Sequence, residues 1–170
     1  MAAMADHAPR AAAGRRLYLL FRIGEDRYAL EAGGVAEVLG LRVLKQVPGA
    51  PAWVAGLLDR RGASVPVIDM SALAGRGAAA AVTSTRLALL RYRPGPGAGE
   101  RLLGLILEQA TETAHFDPAA FQPGGLDNPG ARYLGPVLSD ARGMVQAVTA
   151  DELLPAPVRA LLFPDGEARP

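Results

Sequence analysis

Glu108 and Glu112 are the nearest thing in this chain to a paired-carboxylate acid/base device. They fall in "RLLGLILEQATETAHFD", whose alternating pattern reads as a strand, so both face the same side as solvated charges. Ser64, Ser71, Ser84 and Ser139 have no histidine nearby to activate them, since the only histidines are His7 and His115. Cysteine is absent, which removes thiolate catalysis, disulfides and Cys-ligated metal. The glycine-rich runs Gly75 to Gly77 and Gly95 to Gly99 lack the Lys-Ser/Thr ending of a P-loop and the strand-to-helix setting of a dinucleotide site, so they read as flexible loops. The expectation is a protein that is not an enzyme and takes no cofactor or metal.

A binding loop is better supported. In "GLLDRRGASVPVIDM" (Gly56 to Met70), Asp59, Arg60, Arg61 and Gly62 interrupt an apolar run. Paired arginines at a hairpin tip beside a glycine let a partner's backbone come close, and arginine is the cation preferred at interfaces. An ordinary solvated turn is the competing reading. Pro66, with no amide proton, suits an edge strand or bulge and leaves that border free for docking. Val35, Glu37 and Val38 are a second candidate, either a buried helical turn with one wet carboxylate or an apolar patch with a charged rim. Trp53 reads as core and Asp69 as a turn cap.

The elements that must carry this loop are short strands. Leu17, Leu19, Phe21 and Ile23 share one face, "GEDR" turns the chain, and Tyr28 and Leu30 resume the alternation. Val35, Val38 and Leu39 predict a helical turn, and Leu41, Val43 and Val47 a strand ended by Pro48 and Pro51, with another helical turn opening at Pro51. "TRLALLRYR" and "RLLGLILEQATETAHFD" predict two strands around a Gly/Pro loop, and "YLGPVLSDARGMVQAV" predicts a hairpin turning at Asp140 to Gly143. "FDPAAFQPGGLDNPGARY" is too rich in Pro and Gly for regular structure, and "ADELLPAPVRALLF" closes with short helical turns broken near Pro155 and Pro157. This is a mainly β chain, built as small barrels or a sandwich. Each half offers a hairpin followed by a longer connection, without an exact repeat.

Length and composition agree. The chain has 170 residues, half of them hydrophobic, enough for one domain or two subdomains sharing a core. A net charge of +1 and scattered aromatics argue against nucleic acid as a partner. No apolar run reaches the roughly 20 residues needed to cross a bilayer, so a soluble cytoplasmic protein without membrane insertion is expected. Residues 1–15 read as a flexible tail, 16–163 as one domain, and 164–170 as a frayed end.

"GLLDRRGASVPVIDM" also resembles the signature of the CheW family of chemosensory coupling proteins, Gly-Val-Ile-Asn-Leu-Arg-Gly followed by apolar residues and Pro-Val-Ile-Asp-Leu. Further matches in the family's order are "YLLFRIGEDRYALEAGGVAEVL", "VPGAPAWVAG", "LLGLILEQATE", "YLGPVLSDARGMVQAV" and "DELL", so the likeness runs over about residues 17 to 163. It implies two small SH3-like β-barrels packed together, with short helices including a C-terminal one, and no assignable sequence border between the barrels. It implies an adaptor joining the hairpin tips of methyl-accepting chemoreceptors to the regulatory domain of a CheA-type histidine kinase, in membrane-associated arrays. The residues that fall on the family's contact positions, or close to them, are Val35, Glu37, Val38, Gly56, Arg60, Arg61, Gly62 and Gly104. A module that sequesters a kinase without receptor coupling is the alternative. Departures at Asp59, Arg60 and Glu108, and the long "RPGPGAGE" loop, point to an auxiliary coupler of a non-flagellar pathway.

Overall fold

The computed structural model describes residues 14–164; the expected tail and frayed end lie almost wholly outside that span. Nine strands follow in order: β1 (Arg16–Ile23), β2 (Asp26–Glu31), β3 (Val35–Gly40), β4 (Val54–Arg60), β5 (Ala63–Asp69), β6 (Arg86–Tyr92), β7 (Arg101–Phe116), β8 (Leu134–Asp140) and β9 (Gly143–Val148). Two short α-helices, α1 (Met70–Leu73) and α2 (Ala156–Leu162), complete the regular structure with a few 3-10 turns.

Two barrels result, and β7 belongs to both. Its first half pairs β6 antiparallel and β5 parallel, while its second half pairs β1 antiparallel. Barrel I runs β3-β6-β7-β5-β4, and barrel II runs β7-β1-β2-β9-β8. Each is closed by a short bridge from the connection that follows its outer strand. Lys45 and Leu57 exchange backbone bonds of 2.9 and 2.7 Å in barrel I, and Gln122 and Val137 exchange bonds of 2.7 and 2.8 Å in barrel II. The halves of the chain are therefore exchanged. Hairpin β1-β2 is completed by β7, β8 and β9, and the β6-β7 hairpin is completed by β3, β4 and β5.

Burial follows from this arrangement. Tyr18, Leu20, Ala29, Leu138 and Val145 fill barrel II, and Leu58, Val65, Val67, Leu87 and Leu89 fill barrel I. The alternate residues of the same strands, including Leu19, Phe21, Ile23, Ala88, Leu90, Leu103, Leu105 and Leu107, meet in a third core between the barrels. Strands buried on both faces lose the polar alternation of a half-wet sheet.

Several local expectations are corrected. The helical turn lies at Ala32–Gly34, not at Val35, Val38 and Leu39, which form strand β3 along β6. Gly33 and Gly34 disfavour a longer helix, and the β-branched valines suit the ladder that follows. No strand spans Leu41 to Val47, where only Lys45 is bridged and Val43 is 98% exposed. Pro51 opens a hydrogen-bonded turn, Val54 N–H to Pro51 carbonyl at 3.0 Å, rather than a helix. Pro157 does not break α2 because it sits in the first turn, where an amide proton has no intrahelical acceptor. Trp53 is half-buried and packs on the inter-barrel core. Asp69 caps α1, accepting from the amides of Ala72 (3.2 Å) and Ala79 (2.8 Å).

Gly104 lies inside barrel I, where an added Cβ would stand 2.9 Å from Val67 Cγ2 and 3.2 Å from Leu87 Cδ1. Gly104→Ala is expected to cost about 1–3 kcal/mol of stability by overpacking, read as a lowered urea midpoint with an unchanged slope.

Candidate protein-interaction surface

The β4-β5 hairpin projects from one end of barrel I. Arg60 pairs with Ala63 across a two-residue turn, Arg61-Gly62, with φ of +52° and +82°. Positive φ at both central positions is what a type I′ turn requires, and it matches the twist of the flanking strands. Asp59 steadies the turn, its Oδ1 accepting from the Gly62 amide at 3.0 Å.

The two neighbouring arginines have different surroundings. Arg60 alternates with Leu58, which fills barrel I, so its side chain turns toward the barrel's open end. There it meets Glu37, which alternates in the same way with Leu39 on β3. Arg60 Nε donates to Glu37 Oε2 at 3.0 Å, and a second guanidinium nitrogen contacts the same oxygen. The pair is only partly buried and closes the barrel mouth as a polar plug. Arg61 is exposed, with no acidic partner among the described residues.

The other predicted site residues separate in the same manner. Val38 projects outward at 44% exposure, whereas Val35 is half-buried and packs against the inter-barrel core. Gly56 is buried, with φ of +146°; a Cβ there would sit 2.5 Å from the Lys45 carbonyl oxygen, so the closing bridge of barrel I demands glycine. Gly104 is also buried and faces the interior of barrel I. Val38, Arg61 and Gly62 are thus accessible together, Glu37 and Arg60 orient them, and Val35, Gly56 and Gly104 act only through the scaffold. Pro66 is buried opposite Leu57, and β5 meets β7 only from Val67 onward. The missing amide proton therefore falls where that second ladder has not begun, and of the unpaired border Ala63–Pro66 only Ala63 and Ser64 are exposed.

Barrel II carries a related tip at the predicted Asp140 to Gly143 turn, whose anchoring to β2 the sequence does not reveal. At the turn between β8 and β9, Asp140 accepts from the Arg142 amide at 2.8 Å and binds Arg27 of β2 through both oxygens, at 2.8 and 3.0 Å. The turn's signal is the recurrence of Asp, Arg and Gly in "DRRG" and "DARG". The Arg27 hydrogen bonds hold the Asp140 carboxyl below its ordinary pKa, against the opposing effect of its partial burial. Among the described residues no helix is long and apolar enough to cross a membrane.

Two exchanged barrels, each presenting an Asp-anchored, Arg-bearing hairpin tip, define a binding module. The CheW-like domain matches residues 17–157, and the chain belongs to that family. It is 26% identical to the chemotaxis protein CheW of Rhizobium meliloti, over 71% of this chain and 74% of that one. It is 31% identical to protein FrzA of Myxococcus xanthus, over 41% of this chain and 44% of that one. The solved scaffolding protein TtCheW of Thermoanaerobacter tengcongensis superimposes with a TM-score of 0.71 at 20% identity, covering 82% of this chain and 88% of that chain. This last likeness shows the two-barrel fold.

Because Asp140 ionises more readily when folded than when unfolded, its stabilisation is complete above the ordinary carboxylate pKa and is lost as pH falls below it. Arg27→Met is expected to remove about 1–2 kcal/mol near neutral pH and to flatten the loss of stability as pH falls below the ordinary carboxylate range. Urea melts at stepped pH measure both.

Proposed function

We propose that this chain is a non-catalytic adaptor that couples the hairpin tips of methyl-accepting chemoreceptors to the regulatory domain of a CheA-type histidine kinase. It works in the cytoplasm, at membrane-associated receptor arrays. Family membership and the chemotaxis name of the Rhizobium relative support this reading.

The observation that carries the contact assignment is Arg61. Its left-handed backbone, φ +52°, suits glycine or asparagine, yet the position holds a long cation at an exposed tip. Backbone strain of this kind costs on the order of 1 kcal/mol and persists where the side chain is needed. Arg61 supplies a charge to read, Val38 supplies an apolar anchor, and Gly62 leaves room for a partner's backbone. The Glu37–Arg60 plug keeps tip and strand in register, so little ordering is required on docking.

In a reconstitution of receptor, kinase and this chain, kinase autophosphorylation is expected to become receptor-dependent. Binding without that dependence would instead favour kinase sequestration. Arg61→Asn should leave the melting temperature unchanged or raised, because asparagine tolerates the left-handed region, while weakening partner binding about tenfold. Arg61→Glu and Val38→Asp should weaken binding at least as much with the fold intact. Wild-type affinity for both partners in all three variants would refute the assignment.

A further inference from the structure

The glycine-rich segment at Gly95 to Gly99 joins β6 to β7 away from both hairpin tips. It arches beside α2, and the space between them is a cleft of about 650 Å³. That volume falls in the range of small-molecule sites, roughly 300–1,000 Å³. Among the described residues two side chains in the lining carry charge, Arg101 and Arg159, and both are cations. Each of the other four main grooves on the described surface is lined by at least one acid: Glu31 and Asp151, Asp127 and Glu152, Glu112, or Glu152 alone.

Arg101 lies over the Phe163 ring at 5.7 Å, and Phe163 packs on Tyr92 with ring centroids 5.3 Å apart. Arg159 is in α2, and its carbonyl accepts the Phe163 amide at 2.8 Å. Beneath them the Tyr92 hydroxyl is buried, with no partner in good hydrogen-bond geometry among the described residues. Burial raises the pKa of that phenol, and the charge and looser hydrogen bond of the nearby Arg159 oppose the rise. Across from them, Gly97 has φ of +76° and the Ala98 amide closes onto the Gly95 carbonyl at 3.1 Å. The glycines of this rim carry no side chains, so a ligand can approach the backbone at Gly95, Gly97 and Gly99 between the prolines.

We propose that this cleft binds a small molecule carrying clustered oxyanions, with Arg101 and Arg159 as the charged contacts and the 95–99 loop as a backbone rim. Phosphate and carboxylate groups share the required chemistry, since planar guanidinium forks accept either. The site is on neither hairpin tip, so ligand binding and partner docking are separable.

The test is a calorimetric titration of the full chain with inorganic pyrophosphate and, separately, with citrate. Saturable binding with a dissociation constant of about 1 mM or tighter at moderate salt is expected for at least one probe, and the probe that binds tells phosphate from carboxylate. Arg101→Gln and Arg159→Gln should each weaken it about tenfold, the loss of one charge-assisted contact. Arg101 is exposed, so its variant keeps the test valid if Arg159→Gln perturbs Tyr92. Arg61→Glu should leave the titration unchanged. No saturable binding of either probe would overturn the proposal, as would binding indifferent to the cleft arginines or equally weakened by Arg61→Glu.

Discussion

One strand has to serve two barrels, and most of this structure follows from that constraint. β7 runs sixteen residues, gives its first half to barrel I and its second to barrel II, and changes direction at Gln109, which has φ of +48°. Opposite the bend, the register with β1 jumps from Leu20 against Glu112 to Arg22 against Glu108, so β7 carries extra residues that the ladder does not pair. The Ala110 amide is satisfied from outside the ladder, by the Ser84 carbonyl at 3.1 Å. A bulge of this sort is how a sheet bends sharply without leaving buried amides unpaired.

The inter-barrel core is the energetic counterpart of that geometry. Neither barrel, with five short strands, buries much surface alone. Because β1, β6 and β7 are apolar on both faces, the two barrels share a third layer centred on Phe21, Leu90, Leu103 and Leu105. The exchange of hairpins between halves means that neither barrel is a contiguous stretch of chain. Independent motion of the barrels would expose this layer, so the tips of β4-β5 and β8-β9 stay at a fixed separation. A fixed separation is what a molecule that works by contact requires.

Much of this was legible before any coordinates. Period-two spacing puts Leu17, Leu19, Phe21 and Ile23 on one face; the last three share the inter-barrel core, whereas Leu17, near the start of β1, is exposed. Asp69 was read as a cap and is one. The readings that failed concern segments whose partners are distant. Val35 to Leu39 carries apolar spacing compatible with a helical turn, and only pairing with β6 makes it a strand. Arg60 and Arg61 look equivalent as neighbours, but strand alternation turns one toward the barrel mouth, and only the arrival of Glu37 from β3 makes that orientation stable. The β8-β9 turn is legible, but its anchor is not, because Arg27 and Asp140 are far apart in the chain.

The amino-acid order by itself determined that the chain is mainly β and that it turns at "DRRG" and "DARG". Those properties depend on local chemistry: alternation, glycine at positive φ, and the side chains present or missing. Only the tertiary structure decided which strands pair, that the halves exchange hairpins, and which tip arginine faces solvent. Those outcomes depend on which distant segments bury one another's faces, and that information is spread over the whole chain.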